Sequence, residues 1–177
     1  DVARYLNSDA IPLYNPIEEY LNSTGHWDGK DRIRALADLV PCNNPYWREL
    51  FYRWFLSMTA HWQNIDRQHG NNTSPLLVGA QGYRKSTFCR ILLPPELRFG
   101  YTDSIDFKSK QDAERSLGRF FLINIDEFDQ ISVNQQGFLK HLLQKPVANL
   151  RKPYGTAIQE IRRYASFIAT SNQKDLL

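Results

Sequence analysis

Downstream of Ser74 the sequence alternates short apolar runs with polar, helix-forming stretches, and this alternation limits the fold more than any other feature. PLLV (Pro75–Val78) reads as a strand that enters a glycine-containing turn and then a helix from about Lys85 to Leu93, stopped by Pro94-Pro95. SKQDAERSLG (Ser109–Gly118) reads as a second helix, and RFFLINIDEFD as a buried strand ending in acids. A third helix covers about Asn134 to Gln144, and YASFIATSN (Tyr164–Asn172) is a last strand. Strands this short and this continuously apolar are buried on both faces, which requires parallel pairing with helices on each side. The expected fold is α/β, a parallel sheet covered by helices on both faces.

The stretch before this alternation reads differently. Residues 1–70 are expected to form a helical N-terminal segment, and residues 71–177 the sheet-containing core. IEEYLNSTG (Ile17–Gly25) has the pattern of a short amphipathic helix ended by glycine, and RIRALADLV (Arg32–Val40) that of another stopped by Pro41. The strongest helix is predicted from Asn44 to about Asn64, with Pro45 near its first turn. Trp47, Leu50, Phe51, Trp54, Phe55, Met58 and Trp62 give it one broad apolar face, better suited to packing than to stacking on bases. Asp66–Ser74 (DRQHGNNTS) is a polar break between the two parts.

Charge is divided in the same way. The net charge is +3 overall, but the basic excess lies in residues 71–177, as expected for a polyphosphate or nucleic-acid partner. No apolar run approaches the roughly 18 residues of a membrane span, and DVARYLNSDA has no signal-peptide pattern. Cys42 and Cys89 form no spaced pair and read as unpaired thiols of a cytoplasmic chain. His26, His61, His69 and His141 have no metal-ligand spacing and suit surface or packing roles. Arg162-Arg163, just before the last strand, read as a solvated pair or as a reach toward DNA or a neighbouring subunit's phosphate.

Three signals carry chemistry. In the first, a strand runs into Gly79-Ala80-Gln81-Gly82-Tyr83-Arg84-Lys85-Ser86-Thr87 and a helix follows. Backbone N–H groups of such a loop and the free helix N-terminus converge on a phosphate. Lys85 would neutralise the β- and γ-phosphates of ATP and Ser86 would hold Mg²⁺. Arg84 stands where the P-loop pattern has glycine. The plain alternative is a turn that only joins a strand to a helix.

The second signal is FLINIDEFD (Phe121–Asp129), which puts Asp126 and Glu127 at the carboxyl end of a buried strand, where ligands sit in open α/β sheets. Asp126 suits the metal shell and Glu127 the attacking water; a solvated acidic turn is the alternative. The third is FIATSN (Phe167–Asn172), whose polar end in additional-strand ATPases lies between the other two strands, with Asn172 orienting water. Singly these are weak. Loop, acids and polar strand end nevertheless arrive in the order that one ATP site requires.

The succession resembles the virulence-associated E family, related to D5-like primase-helicases and superfamily 3 helicases. The resemblance runs from about Pro16 to Asn172. It includes Tyr20-Leu21, Trp27-Asp28-Gly29-Lys30 with Arg32, Lys110-Gln111-Asp112-Ala113 and Arg151-Lys152-Pro153-Tyr154-Gly155. It implies a P-loop ATPase of additional-strand type, with Lys85, Ser86, Asp126, Glu127 and Asn172 at the nucleotide. It also implies a DNA partner in a replication or mobile-element setting, and a ring-shaped, hexameric homo-oligomer threaded by DNA. An arginine completing the neighbour's site is expected beyond Leu177, and Arg151 is a candidate for subunit contact or phosphate sensing. The rival reading is a non-hydrolysing nucleic-acid-binding module whose P-loop has decayed through Arg84.

Overall fold

The computed structural model describes Tyr5, residues 14–151 and residues 158–172, with the backbone alone at Arg151. The first helix described along its whole length is α1 (Pro16–Ser23), which local chemistry specifies fully. The Asn15 side chain accepts from the Ile17 and Glu18 N–H groups, Pro16 occupies the first turn, and Glu18 and Glu19 face the helix dipole. Gly25, at φ 70°, turns the chain away, as its place in the sequence predicts. Asp31 caps α2 (Arg32–Ala37), a turn shorter than the apolar pattern suggests, because residues 38–40 continue only as turns before Pro41.

The long helix α3 spans Trp47–Trp62. It begins later than Asn44, since Pro45 precedes it in a turn rather than inside its first turn. Phe51, Trp54, Met58 and Trp62 are buried against the sheet residues Leu77, Leu122 and Ile168. Leu50, grouped with the apolar face by its spacing, is 55% exposed instead. The indole N–H of Trp62 donates to the Phe121 carbonyl at 3.3 Å and ties the end of α3 to the sheet.

Two successive βα units follow: β1 (Leu76–Val78) leads to α4 (Lys85–Ile91), and β2 (Tyr101–Thr102) to α5 (Lys110–Arg119). Then come β3 (Leu122–Ile125), α6 (Val133–Gln144), a hairpin of β4 (Val147–Arg151) and β5 (Ile158–Arg162), and β6 (Ser166–Ser171). Ser109 caps α5, and Ser132 with Gln135 forms a capping box on α6. The main sheet is parallel, in the order β1-β6-β3-β2. Helices flank both faces. On one side α3 and α4 pack on Leu77, Leu122 and Ile168; on the other α5 and α6 pack on Ile123, Ile125, Phe167 and Ala169. Every residue of β6 is buried, as a central strand of such a sandwich must be.

The polar stretch Asp66–Ser74 is partly threaded into this interior. The Asn71 amide donates to the Trp54 carbonyl at 3.3 Å and to Ser166 Oγ at 3.0 Å. Gly70 lies so close to the end of α6 that a Cβ would sit 2.3 Å from the Leu143 carbonyl oxygen and 2.9 Å from Arg163 Nη1. Backbone at that distance has no slack, so Gly70→Ala should destabilise the chain by about 3 kcal/mol, the upper part of the usual overpacking range. In thermal unfolding that is a fall of roughly 6–12 °C for a chain of this size. An unchanged midpoint would show that the segment lifts away from α6 at no cost.

Candidate functional site

Parallel strands deliver their carboxyl ends to one edge of the sheet, so β1, β6 and β3 bring three sequence signals together. The Gly79 N–H donates to the Ser171 carbonyl at 3.2 Å, carrying the β1–β6 ladder one residue beyond the strand. The loop then reverses through Gly82, at φ 89°. Arg84 is the N-cap of α4 at φ 56°, ψ 29°, the left-handed region, with no side-chain capping bond. A non-glycine residue there carries strain of order 1 kcal/mol. Glu127, just after β3, is held in the same region at φ 50°, ψ 52°.

The side chains interlock across the strand ends. Lys85 Nζ donates to the Gly79 carbonyl at 2.7 Å, the Ala80 carbonyl at 3.0 Å and Asn172 Oδ1 at 3.0 Å. Ser86 Oγ donates to Asp126 Oδ1 at 3.0 Å, and the Thr170 hydroxyl donates to the same oxygen. Both hydroxyls thus converge on one carboxylate oxygen and fix the plane of Asp126. One step further, Asp129 Oδ1 accepts from Ser171 Oγ at 2.8 Å and from the Asn172 N–H at 3.4 Å. The Ser171 donation, more than any other interaction, holds the Asp129 carboxyl below the usual carboxylate range.

These groups surround a cavity of about 330 Å³. It is lined by all the sequence-predicted site residues except Gly79, Ala80 and Tyr83, together with Thr170. Gly79 and Ala80 enter only through the carbonyls that hold Lys85, and the Tyr83 ring is exposed. Behind the cavity, Cys89 is fully buried in α4, and burial, followed by the nearby Asp126 charge, pushes its thiol up to about 12. Such a thiol is inert as a nucleophile. The groups facing the cavity are hydroxyl, carboxylate, amide and ammonium, a set suited to anions and hard cations.

Sequence reasoning missed three members of this network. Thr170 and Ser171 lay inside the polar end of FIATSN, but only Asn172 was singled out. Parity along β6 was the available signal, since Thr170 faces the same way as Asn172. Asp129 sits two residues beyond Glu127, and no local pattern marks it as the acceptor for β6.

A family model for the virulence-associated protein E-like domain matches residues 21–177. The chain belongs to this family. No curated protein matches it. In this virulence-associated protein E-like chain, Trp27-Asp28-Gly29-Lys30 is a local staple. Gly29 turns at φ 82°, Asp28 accepts bidentately from Arg32 at 2.6 and 2.7 Å, and the Trp27 indole donates to the Lys30 carbonyl at 3.2 Å. Lys110-Gln111-Asp112-Ala113 forms the first turn of α5. Residues 152–157, which hold most of RKPYG, lie outside the described residues, as does the Arg151 side chain.

Arg162 and Arg163 correct the sequence reading most sharply. Neither is a free, solvated charge. Arg162 Nη2 donates to the His61 carbonyl at 3.1 Å and to the Trp62 carbonyl, at the end of α3. Arg163, 2% exposed, donates to the carbonyls that end α6. Among the described residues no helix is long and apolar enough to cross a membrane.

Proposed function

We propose that this chain is a P-loop ATPase domain that binds Mg²⁺·ATP and hydrolyses it to drive helicase-like or remodelling work on DNA, in a replication or mobile-element setting. One observation carries the proposal. Lys85, the linked Ser86–Asp126 pair, Glu127 and Asn172 face one cavity from three adjacent strand ends. A strand-to-helix turn with no ligand has no use for that convergence. It also weighs against the non-hydrolysing alternative, because loss of the chemistry would free Asp126 and Glu127 to drift.

Lys85 is already anchored over the cavity by carbonyls, so phosphate oxygens would replace neutral acceptors with charged ones and gain charge-assisted bonds. The Ser86 hydroxyl and Asp126 carboxylate are hard oxygens 3.0 Å apart, and both fit Mg²⁺. When bound, Mg²⁺ supplies charge neutralisation across the β- and γ-phosphates. Glu127 takes the proton of the attacking water and the Asn172 amide orients that water. The basic excess of residues 71–177 supports a polynucleotide partner. The ring-shaped, hexameric homo-oligomer and the cytoplasmic setting rest on family resemblance and on sequence expectation. Titration of labelled ATP with and without Mg²⁺ tests the core of the proposal. Micromolar, Mg²⁺-dependent binding with slow turnover is expected, and no binding at millimolar ATP would overturn it.

Arg84 adds a second test. Arg84 lines the cavity and, among the described residues, forms no ion pair with an acid. Arg84→Gly should relieve about 1 kcal/mol of strain and raise the unfolding midpoint by a few degrees. ATP affinity should nevertheless fall several-fold, because a fork of donors to phosphate is lost. Equal or tighter binding would show that the loop only tolerates this arginine.

A further inference from the structure

Asp129 belongs to neither the metal pair nor the water-activating pair of the proposed reaction, yet it joins the two strand ends that carry them. Its Oδ1 accepts from Ser171 Oγ at 2.8 Å and from the Asn172 N–H at 3.4 Å, across 42 and 43 residues of sequence. Asn172 in turn accepts from Lys85 Nζ at 3.0 Å. Asp129 also stands in the turn that holds Glu127 at φ 50°, a turn closed by the Gln130 N–H donating to the Glu127 carbonyl at 2.8 Å. A non-glycine residue persists in that conformation only where its surroundings over-determine it. The Thr170 bond to Asp126 holds the residue before Glu127, and the bonds from Asp129 to β6 hold the turn beyond it.

We infer that Asp129 is a positioning residue that locks Glu127 and Asn172 into one rigid unit, so that the base and the water-orienting amide keep their spacing. The inference rests on the ATPase reading above. Asp129 touches no reacting atom; it acts through the other two. The chemistry depends on their mutual placement, and an error of about 1 Å there can cost on the order of 100-fold in rate. Nucleotide affinity, by contrast, depends on Lys85 and the loop, which Asp129 does not contact.

The test compares Asp129→Ala, Asp129→Asn and Ser171→Ala with the parent chain. Asp129→Ala should lower ATP turnover about 10- to 100-fold, while affinity for a fluorescent ATP analogue stays within about threefold. Asp129→Asn keeps an Oδ1 acceptor for both donors and should recover most of the rate. Ser171→Ala removes one donor and should fall between, which preserves the test if Asp129→Ala does not fold. In the Asn172→Ala background, Asp129→Ala should cost less than about twofold more, as expected of residues acting through one another. Without nucleotide, amide exchange at Ser171 and Asn172 should accelerate in Asp129→Ala. Turnover unchanged in both Asp129→Ala and Ser171→Ala, or lost in step with affinity, overturns the inference alone. A parent chain that binds and hydrolyses no ATP overturns the ATPase reading, and this inference with it.

Discussion

Glu127→Gln is expected to lower ATP turnover about 100-fold while leaving ATP affinity near that of the parent, the usual scale for loss of a general base. Glutamine keeps the size and the hydrogen-bonding reach of the side chain but cannot take a proton. Glu127 is exposed. Stability should therefore change by no more than about 0.5 kcal/mol, as for most surface replacements. The carboxylate faces the cavity that also holds Lys85 and Ser86, so the loss should appear in kcat and not in binding. Binding and turnover measured in parallel decide the matter. Unchanged turnover removes Glu127 from the mechanism, and a parallel loss of affinity reassigns it to holding phosphate or metal.

The largest expected effect on stability lies away from the cavity, at Arg163. Its Nε donates to the Ala165 carbonyl at 2.8 Å, and its Nη1 to the carbonyls of Leu142 at 3.0 Å, Leu143 at 2.9 Å and Lys145 at 2.5 Å. The guanidinium thus closes the end of α6, where orphan carbonyls and the negative end of the dipole both favour a cation. Burial lowers its pKa to about 10, so it is still charged at neutral pH. Arg163→Met keeps the bulk and removes every donor. Several buried carbonyls would then lose their partner at about 1–3 kcal/mol each, and since such costs are not additive a total loss of about 3–5 kcal/mol is expected. Denaturant unfolding measures it directly. A loss below about 1 kcal/mol would show that water or relaxation of α6 satisfies those carbonyls instead.

Several elements were legible because their signals are local. The helix ended by Gly25, the helix of SKQDAERSLG and the apolar face of α3 each need only neighbours within a few residues. Two strand features escaped. β2 is two residues long and follows a 3-10 turn, and the β4–β5 hairpin lacks a clear in-out alternation, β5 being largely exposed. The arginine pair was misread because a charged dipeptide before a strand looks solvated. Apart from the Ala165 carbonyl, its acceptors are helix-terminal carbonyls 18 to 101 residues away, which no local pattern exposes.

From the sequence alone came the helices, the strands β1, β3 and β6, and the placing of Lys85 at the start of the helix after β1 and of Asp126-Glu127 and Asn172 at the ends of apolar strands. Periodicity and capping encode how each stretch buries its own face, and that information is contained within a few turns of chain. The tertiary structure decided what those ends meet. With β6 between β1 and β3, Asn172 comes within 3.0 Å of a lysine 87 residues earlier, and Thr170 and Asp129 enter the network. The parallel register, Ile125 opposite Ala169 and Leu77 opposite Thr170, sets which side chains face one another. Strand order and register follow from burying both faces of the whole sheet at once, a condition that no single segment carries.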